Sequence, residues 1–388
     1  MMVDGIMKKL PEDVVIYILL KFTVKSLIRF KCISRTWYTL VQSSTFINLH
    51  LNRPTTRKNE FILFSRSIKV EPRGLKNVIS IIYSDNDDDL NSIFPDLDPP
   101  YLTFSYYYAY NELVGPCNGL LVLTDFEVII LLNPATRNYM PLPSSPFVCA
   151  EGLNLSIMGG VGFGFDWIGN DYKVIRILEV FKDADWSPDV IDQKVEVYDL
   201  HTDSWREFRV GQQFPKVHWL PHFEIFHKGA FHWYANIDDA MVILCFDMST
   251  EIFRTMIMPD SFNDYDGKYY TLVILNESLT LICYPDSYAE IDLTQDSMDV
   301  WIMMDYGVRD SWTKKYMIRP PPFKSPLTIW KNHLLFLQNK GGLLISYDLI
   351  SNEAKEFNLQ GYPQSLRIIV YKESLISIPK RVRRSSSS

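Results

Sequence analysis

The sequence lacks most of what catalysis, secretion or membrane anchoring would require. Its 388 residues hold five cysteines, Cys32, Cys117, Cys149, Cys245 and Cys283. They are odd in number, scattered and never spaced C-x-x-C, which argues against a disulfide framework and a structural zinc site. No G-x-S-x-G, H-E-x-x-H or P-loop pattern occurs, so catalysis is not expected. The longest early apolar run, Val14 to Leu20, stops at Lys21. It is too short to span a bilayer, and no small-residue cleavage site follows it. The expected compartment is therefore the cytosol or nucleus, where the N-x-Ser sequons at Asn154 and Asn276 would go unused. An apolar content of 47% excludes global disorder, and the length suits one small domain beside one large one.

Charge is unevenly distributed. Residues 1–60 carry ten Lys/Arg against four Asp/Glu, and 380–388 carry four bases and no acid. With 39 bases and 46 acids in all, residues 61–379 keep 25 and 42, a net charge of −17. An acidic body disfavours nucleic acid and anionic membrane and favours a basic protein partner. The stretch 380–388 is expected to be a disordered basic and serine-rich tail.

Residues 1–50 have a helical pattern. Leu10-Pro11-Glu12-Asp13 is a helix start, with proline tolerated in the first turn and the acids suited to the positive end of the helix dipole. Val14, Ile18 and Phe22, with Val15 and Leu19, make an apolar face. Thr23 can cap a second helix carrying Val24, Leu27, Phe30 and Ile33, and Ser34 a third carrying Trp37, Leu40 and Val41. Lys21, Lys25, Arg29, Lys31 and Arg35 interleave with these apolar positions, as on a protein-docking surface or a solvated helix face. Three short helices make a very small core, which should be completed by the body or by a partner.

From about residue 51 to 379 the pattern changes to strands. Short β-branched, leucine and aromatic runs alternate with Gly, Pro, Asn and Asp clusters. One unit recurs: Ile130-Leu-Leu-Asn133-Pro-Ala-Thr-Arg-Asn-Tyr139, Val197-Tyr-Asp199 to Trp205, Cys245-Phe-Asp247 to Phe253, Ser346-Tyr-Asp348 to Ala354 and, more weakly, Val300 to Asp305 and Trp312. In each, a strand ends on Asp or Asn, whose side chain can bond the backbone N–H groups of the following turn. The steps of 66, 48, 58 and 43 residues centre on the period of four-stranded, kelch-type propeller blades and allow six or seven. The alternative is a β-sandwich whose hairpins share turn chemistry.

Three constellations invite a chemical reading. His218, His222, His227 and His232 are close in sequence, but only Glu224 could support them as metal ligands, and aromatic residues surround them. They read as strand and turn histidines. Asp85 to Asp96 has some of the spacing of a calcium loop, but Leu90 stands where the sharp turn needs glycine, so it reads as a solvated acidic loop. Gly159-Gly-Val-Gly-Phe-Gly164 leads into a strand rather than a helix. It suits strands passing close together at a propeller centre better than a phosphate cradle. No metal and no cofactor is expected.

Leu10-Pro-Glu-Asp-Val-Val-Ile-Tyr-Ile-Leu-Leu, Val24-Lys-Ser-Leu-Ile-Arg-Phe-Lys-Cys-Ile-Ser34, Trp37 and Phe46 resemble a plant F-box, with Thr23 where proline is common. Gly115-Pro-Cys-Asn-Gly-Leu120, Leu132-Asn-Pro-Ala-Thr-Arg137, Gly162-Phe-Gly-Phe-Asp166 and Trp330-Lys-Asn-His333 resemble the F-box-associated, kelch-like domain. With Gly342 to Leu349, Val370-Tyr-Lys-Glu373 and Ile378-Pro-Lys380, the chain is similar to S-locus F-box proteins from Leu10 to Lys380. That resemblance implies a substrate receptor of an SCF-type ubiquitin ligase in pollen, held by the S-phase-kinase-associated adaptor and a cullin and recruiting S-ribonucleases. The expected adaptor contacts are Leu10, Pro11, Val14, Ile18, Leu27 and Phe30. The loops expected to choose the partner carry Asp85, Asp87, Asp88 and Asp89, and Asp183, Asp185 and Trp186. The same type of receptor with another target is the alternative, and a propeller-scaffold enzyme or metal protein is the more distant one.

Overall fold

The computed structural model describes residues 10–54, 60–72, 74–83, 92–93, 112–124, 128–147, 150–182, 190–208, 214–219, 224–237, 240–259, 268–285, 296–319, 325–362 and 365–379. Four helices come first: α1 (Glu12–Leu19), α2 (Val24–Phe30), α3 (Arg35–Gln42) and α4 (Ser44–Leu51). Thr23 caps α2 by accepting the Ser26 N–H, and Ser34 caps α3 by accepting that of Trp37, as the sequence predicts. The expected count of three helices is corrected to four. Ser43 alone separates α3 from α4: its hydroxyl accepts the Phe46 N–H at 3.2 Å and donates to the Leu40 carbonyl at 2.8 Å. No glycine or proline marks that break. Among the described residues no helix is long and apolar enough to cross a membrane.

The remaining described residues form six antiparallel sheets. Blade 2 runs from its innermost strand outward as Glu112–Cys117, Leu120–Thr124, Ile129–Asn133 and Asn138–Pro141. Blade 3 is Leu153–Asp166, Asp171–Lys182, Val190–Asp199 and Ser204–Glu207. In blade 4, Val217–Trp219 and Glu224–His227 share the edge of Ala230–Ile237, followed by Ala240–Asp247 and Phe253–Ile257. Blade 5 is Lys268–Leu275, Ser278–Pro285, Met298–Met303 and Trp312–Ile318, and blade 6 is Ser325–Trp330, Leu334–Gln338, Leu343–Asp348 and Ala354–Gln360. Blade 1 is composite. Glu60–Val70, Gly74–Tyr83 and Ser92–Ile93 pair with an innermost strand, Arg367–Lys372, from the other end of the chain. Innermost strands of successive blades meet in order around the ring, and blade 6 meets blade 1.

Each blade is sandwiched between two others, so its inner strands bury both faces. Leu120–Thr124 and Ile129–Asn133 are buried at every position, which explains the continuous apolar runs. Along Lys268–Leu275, Tyr270 and Leu272 pack toward blade 4, while Val273 and Leu275 pack toward blade 6. The outermost strands are largely exposed. Tryptophan indoles tie blade to blade: Trp205 donates to the Pro143 carbonyl at 2.8 Å, and Trp312 to that of Ile257 at 3.1 Å.

The recurring Asp/Asn unit is the turn between the third and fourth strands of blades 2 to 6. Asn133 accepts the N–H groups of Ala135 and Thr136, Asp247 those of Ser249 and Thr250, and Asp348 those of Ile350 and Ser351. Four residues on, Arg137, Asp203, Glu251 and Asn352 all take left-handed backbone conformations. At Asp199 the carboxylate turns instead to Arg206, at 2.7 Å. Glu251 reaches back from its turn to blade 3, pairing with Arg206 and, at 2.7 Å, with Lys173. Lys173 also meets Asp166 at 2.7 Å and the Met248 carbonyl at 3.0 Å, so all three ammonium protons are used.

The glycine run works as a close-approach strand, as expected, with the approach made between blades. A Cβ on Gly162 would lie 2.7 Å from Ile175 and 2.9 Å from the Trp233 indole of blade 4. Gly162→Ala is therefore expected to destabilise the disc by about 1–3 kcal/mol, the usual cost of overpacking. Urea unfolding checks this, and unchanged stability would contradict the packing.

Candidate docking site

The helical unit stands on the face of the disc from which the turns between first and second strands and between third and fourth strands emerge. Its core, built from Val15, Leu19, Val24, Leu27, Val41 and Phe46, also contains Leu375, just past the last strand of the propeller, and is touched by Ala135 of blade 2. The helices are thus completed by the body, as their small size requires.

What they leave exposed is an apolar stripe along α1. Val14, Tyr17 and Ile18 recur at the spacing of one helix face, away from buried Val15 and Leu19, with Leu10 exposed just before the helix, and Tyr17 is 61% exposed. Phe22, Ile33 and Tyr38 are also exposed. Exposed apolar clusters of this kind on a small unit mark protein contact. Pro11 is exposed at the start of α1. Of the six residues expected to contact a partner, Leu10, Pro11, Val14 and Ile18 lie together on this surface.

Leu27 requires correction: it is 0% exposed and belongs to the helical core. Phe30 is half-buried, edge-on between Phe22 at 5.2 Å and Trp37 at 5.3 Å. The step-of-three pattern that singled out Leu27 and Phe30 is the inward face of α2. Tyr17, overlooked in the sequence, had an available signal in its spacing of three from Val14. The loop residues Asp85, Asp87, Asp88, Asp89, Asp183, Asp185 and Trp186, and the tail 380–388, lie outside the described residues.

Of the four histidines, His227 and His232 lie together beside Tyr306, their ring centroids 6.4 Å apart. His218 is exposed, and His222 lies outside the described residues. His232 is fully buried: its Nδ1 donates to the Ile225 carbonyl at 3.3 Å, which leaves Nε2 to accept the Tyr306 hydroxyl proton at 2.7 Å. Among the described residues no three His, Cys, Asp or Glu side chains are placed to share a metal ion.

The junction between helices and disc is polar and largely buried. The His50 Nδ1 accepts from Arg53, so Nε2 carries the proton and donates to the Phe22 carbonyl at 3.2 Å. Arg53 also donates to the His50 carbonyl at 2.6 Å, and the Lys372 ammonium donates to the Arg53 carbonyl. Burial, with Arg53 and Lys372 adding repulsion, pushes His50 down to about 4. Glu373 accepts the Val24 N–H, at the first residue of α2, at 3.0 Å. Burial holds its carboxyl above the usual range, against the opposing effects of that hydrogen bond and of Arg53.

Residues 7–49 match the model of the F-box domain, and residues 94–378 that of the F-box associated beta propeller domain. The second span begins after the first three strands of blade 1. The chain is 25% identical to F-box protein CPR1 of Arabidopsis thaliana, over 95% of this chain and 89% of that protein. It is 24% identical to F-box protein At4g22390 of the same plant, over 89% and 85% of the two chains. With F-box/kelch-repeat protein At3g23880, also from Arabidopsis thaliana, it shares 25% identity over 87% of each.

Protonating His50 would place a new N–H against the Arg53 guanidinium. An imidazole with an unfolded pKa near 6.5 and a folded value of about 4 contributes stability above pH 6.5 that is lost as pH falls toward 4. Glu373 works in the opposite direction, favouring the fold as it protonates, so the histidine is isolated by difference. Protection of the helical amides, referred to the intrinsic exchange rate at each pH, is expected to fall between pH 6.5 and 4 more in the wild type than in His50→Gln. Identical pH profiles would remove His50 from the junction's energetics.

Proposed function

The chain belongs to the F-box proteins that carry an F-box associated β-propeller, and on that premise we propose that it is the substrate receptor of an SCF-type ubiquitin ligase. The α1 stripe takes the S-phase-kinase-associated adaptor, which joins a cullin, and the disc holds a target protein. The observation that carries this reading is the row of solvent-facing apolar side chains Leu10, Val14, Tyr17 and Ile18, on a unit whose own core is already complete without them. The chain does no chemistry on its target in this account. It raises the concentration of target lysines beside a charged ubiquitin-conjugating enzyme.

For the target we propose a basic protein of the S-ribonuclease class, recognised in the cytoplasm of pollen or the pollen tube. Support comes from the net charge of −17 over residues 61–379 and from the sequence's resemblance to S-locus F-box proteins. Opposite net charge speeds encounter and rejects acidic competitors, while shape sets choice among similar targets. The same receptor directed at another basic protein is the second reading, and it rests on the same charge.

Val14→Glu with Ile18→Glu is expected to weaken capture of the purified adaptor by about 100-fold or more, as for buried central anchors, with helical circular dichroism unchanged. Leu27→Ala is expected to act differently, costing about 2–5 kcal/mol of helical stability through the cavity it leaves. Undiminished capture by the double variant would refute the docking surface. Binding of a purified S-ribonuclease to the full chain is expected to weaken steeply between roughly 50 and 500 mM salt. Salt-independent binding would remove charge from target selection.

A further inference from the structure

From the end of its last strand, Arg367–Lys372, the chain runs between the two units and addresses both. Tyr371 lies in the disc, where its hydroxyl donates to the Gly119 carbonyl at 3.3 Å and accepts the Ala135 N–H at 3.2 Å. Ser374 is fully buried against blade 2, so close to Gly119 that a Cβ there would lie 2.3 Å from its own. The Asn133 amide donates to the carbonyls of Ser374, at 3.1 Å, and Ile376, at 2.8 Å. Ile378 is buried in the core shared by blades 2, 3 and 4.

Other residues of the same segment face the helices. Lys372 donates to the carbonyl of Arg53, just after α4. Glu373 accepts the first N–H of α2, and Leu375 is 2% exposed inside the helical core. From Glu373 onward the side chains alternate, Glu373 and Leu375 toward the helices and Ser374 toward the disc, so one short segment grips both units at once.

We infer that Lys372, Glu373 and Leu375 are positioning residues that fix the orientation of the helical unit on the disc. Whatever the helices hold is thereby set at a defined place relative to whatever the disc holds. The inference concerns the joint alone and stands whether or not the helices take an adaptor. In a receptor of the proposed kind it would fix the reach between target and conjugating enzyme.

The test uses the full chain with nitroxide labels at Thr36→Cys on α3 and Glu353→Cys on the turn face of blade 6, and with Cys32 and Cys149 replaced by serine. Electron–electron double resonance should give one narrow distance distribution. Glu373→Ala with Leu375→Ala is expected to broaden it, and to raise amide exchange in the helices about tenfold or more while blade amides stay protected. Glu373→Gln keeps an oxygen to accept the Val24 N–H and should retain the narrow distribution. An unchanged narrow distribution in the double variant would overturn the inference. Loss of protection through the blades together with the helices would do so as well, because the two side chains would then support the whole fold and not the joint. Capture of the adaptor by the wild type is read separately, so failure of the functional reading cannot be mistaken for failure of this one.

Discussion

The pairing of Glu60–Ser65 with Arg367–Lys372 is the contact on which the rest of the molecule depends. A propeller leaves no blade face uncovered only if its ring closes, and here residues about 300 apart in sequence supply neighbouring strands of one blade. Closure carries a large loop-ordering cost, which is offset only once both faces of each blade are covered by its neighbours. Leu63 and Ile369 of blade 1 pack with Leu121 and Ile130 of blade 2, while Phe64 and Ile368 pack with Leu327 and Phe336 of blade 6. The closing strand therefore completes two inter-blade cores at once. Its continuation, through Glu373 and Leu375, completes a third in the helices.

This arrangement divides labour by surface. The disc buries most of its apolar residues between blades, leaving a few such as Trp167, Ile168 and Ile350 exposed on its turns, and secures several of those turns with Asp and Asn side chains. The helices instead keep an apolar stripe in solvent. Several polar groups at the joint are matched, an uncharged His50 oriented by Arg53 and the Phe22 carbonyl, and Glu373 at the start of α2, while the buried Arg53 Nη2 has no hydrogen-bond partner. A buried set of this kind loses stability when one member is removed or recharged, which makes the joint specific as well as firm. The Lys173 cluster plays a comparable part between blades 3 and 4, where Asp166 and Glu251 from opposite sides share one ammonium.

Much of this was legible in the sequence because it is local. The helix caps at Thr23 and Ser34, the Asp/Asn turns at Asn133, Asp247 and Asp348, and the close-approach glycines each need only a few adjacent residues. The repeat was clearest where the turn is shortest. It was faint at Asp305, where a longer connection containing the 3-10 turn Arg309–Ser311 replaces it. Blade 1 left no complete repeat, since its strands come from both ends of the chain. The inward role of Leu27 was hidden because a short amphipathic helix has apolar residues both buried and exposed, and only packing distinguishes them. The joint was illegible for a plainer reason: Val24 and Glu373 are 349 residues apart, and no local pattern announces their contact.

The central claim is that the C-terminal strand and its continuation hold both units together. Ending the chain after Leu366 and measuring hydrogen exchange across the whole protein tests it most directly. The account predicts that the helices and the strands of blades 1, 2 and 6 lose protection together. A truncated chain with helices and blades as protected as in the full protein would contradict it.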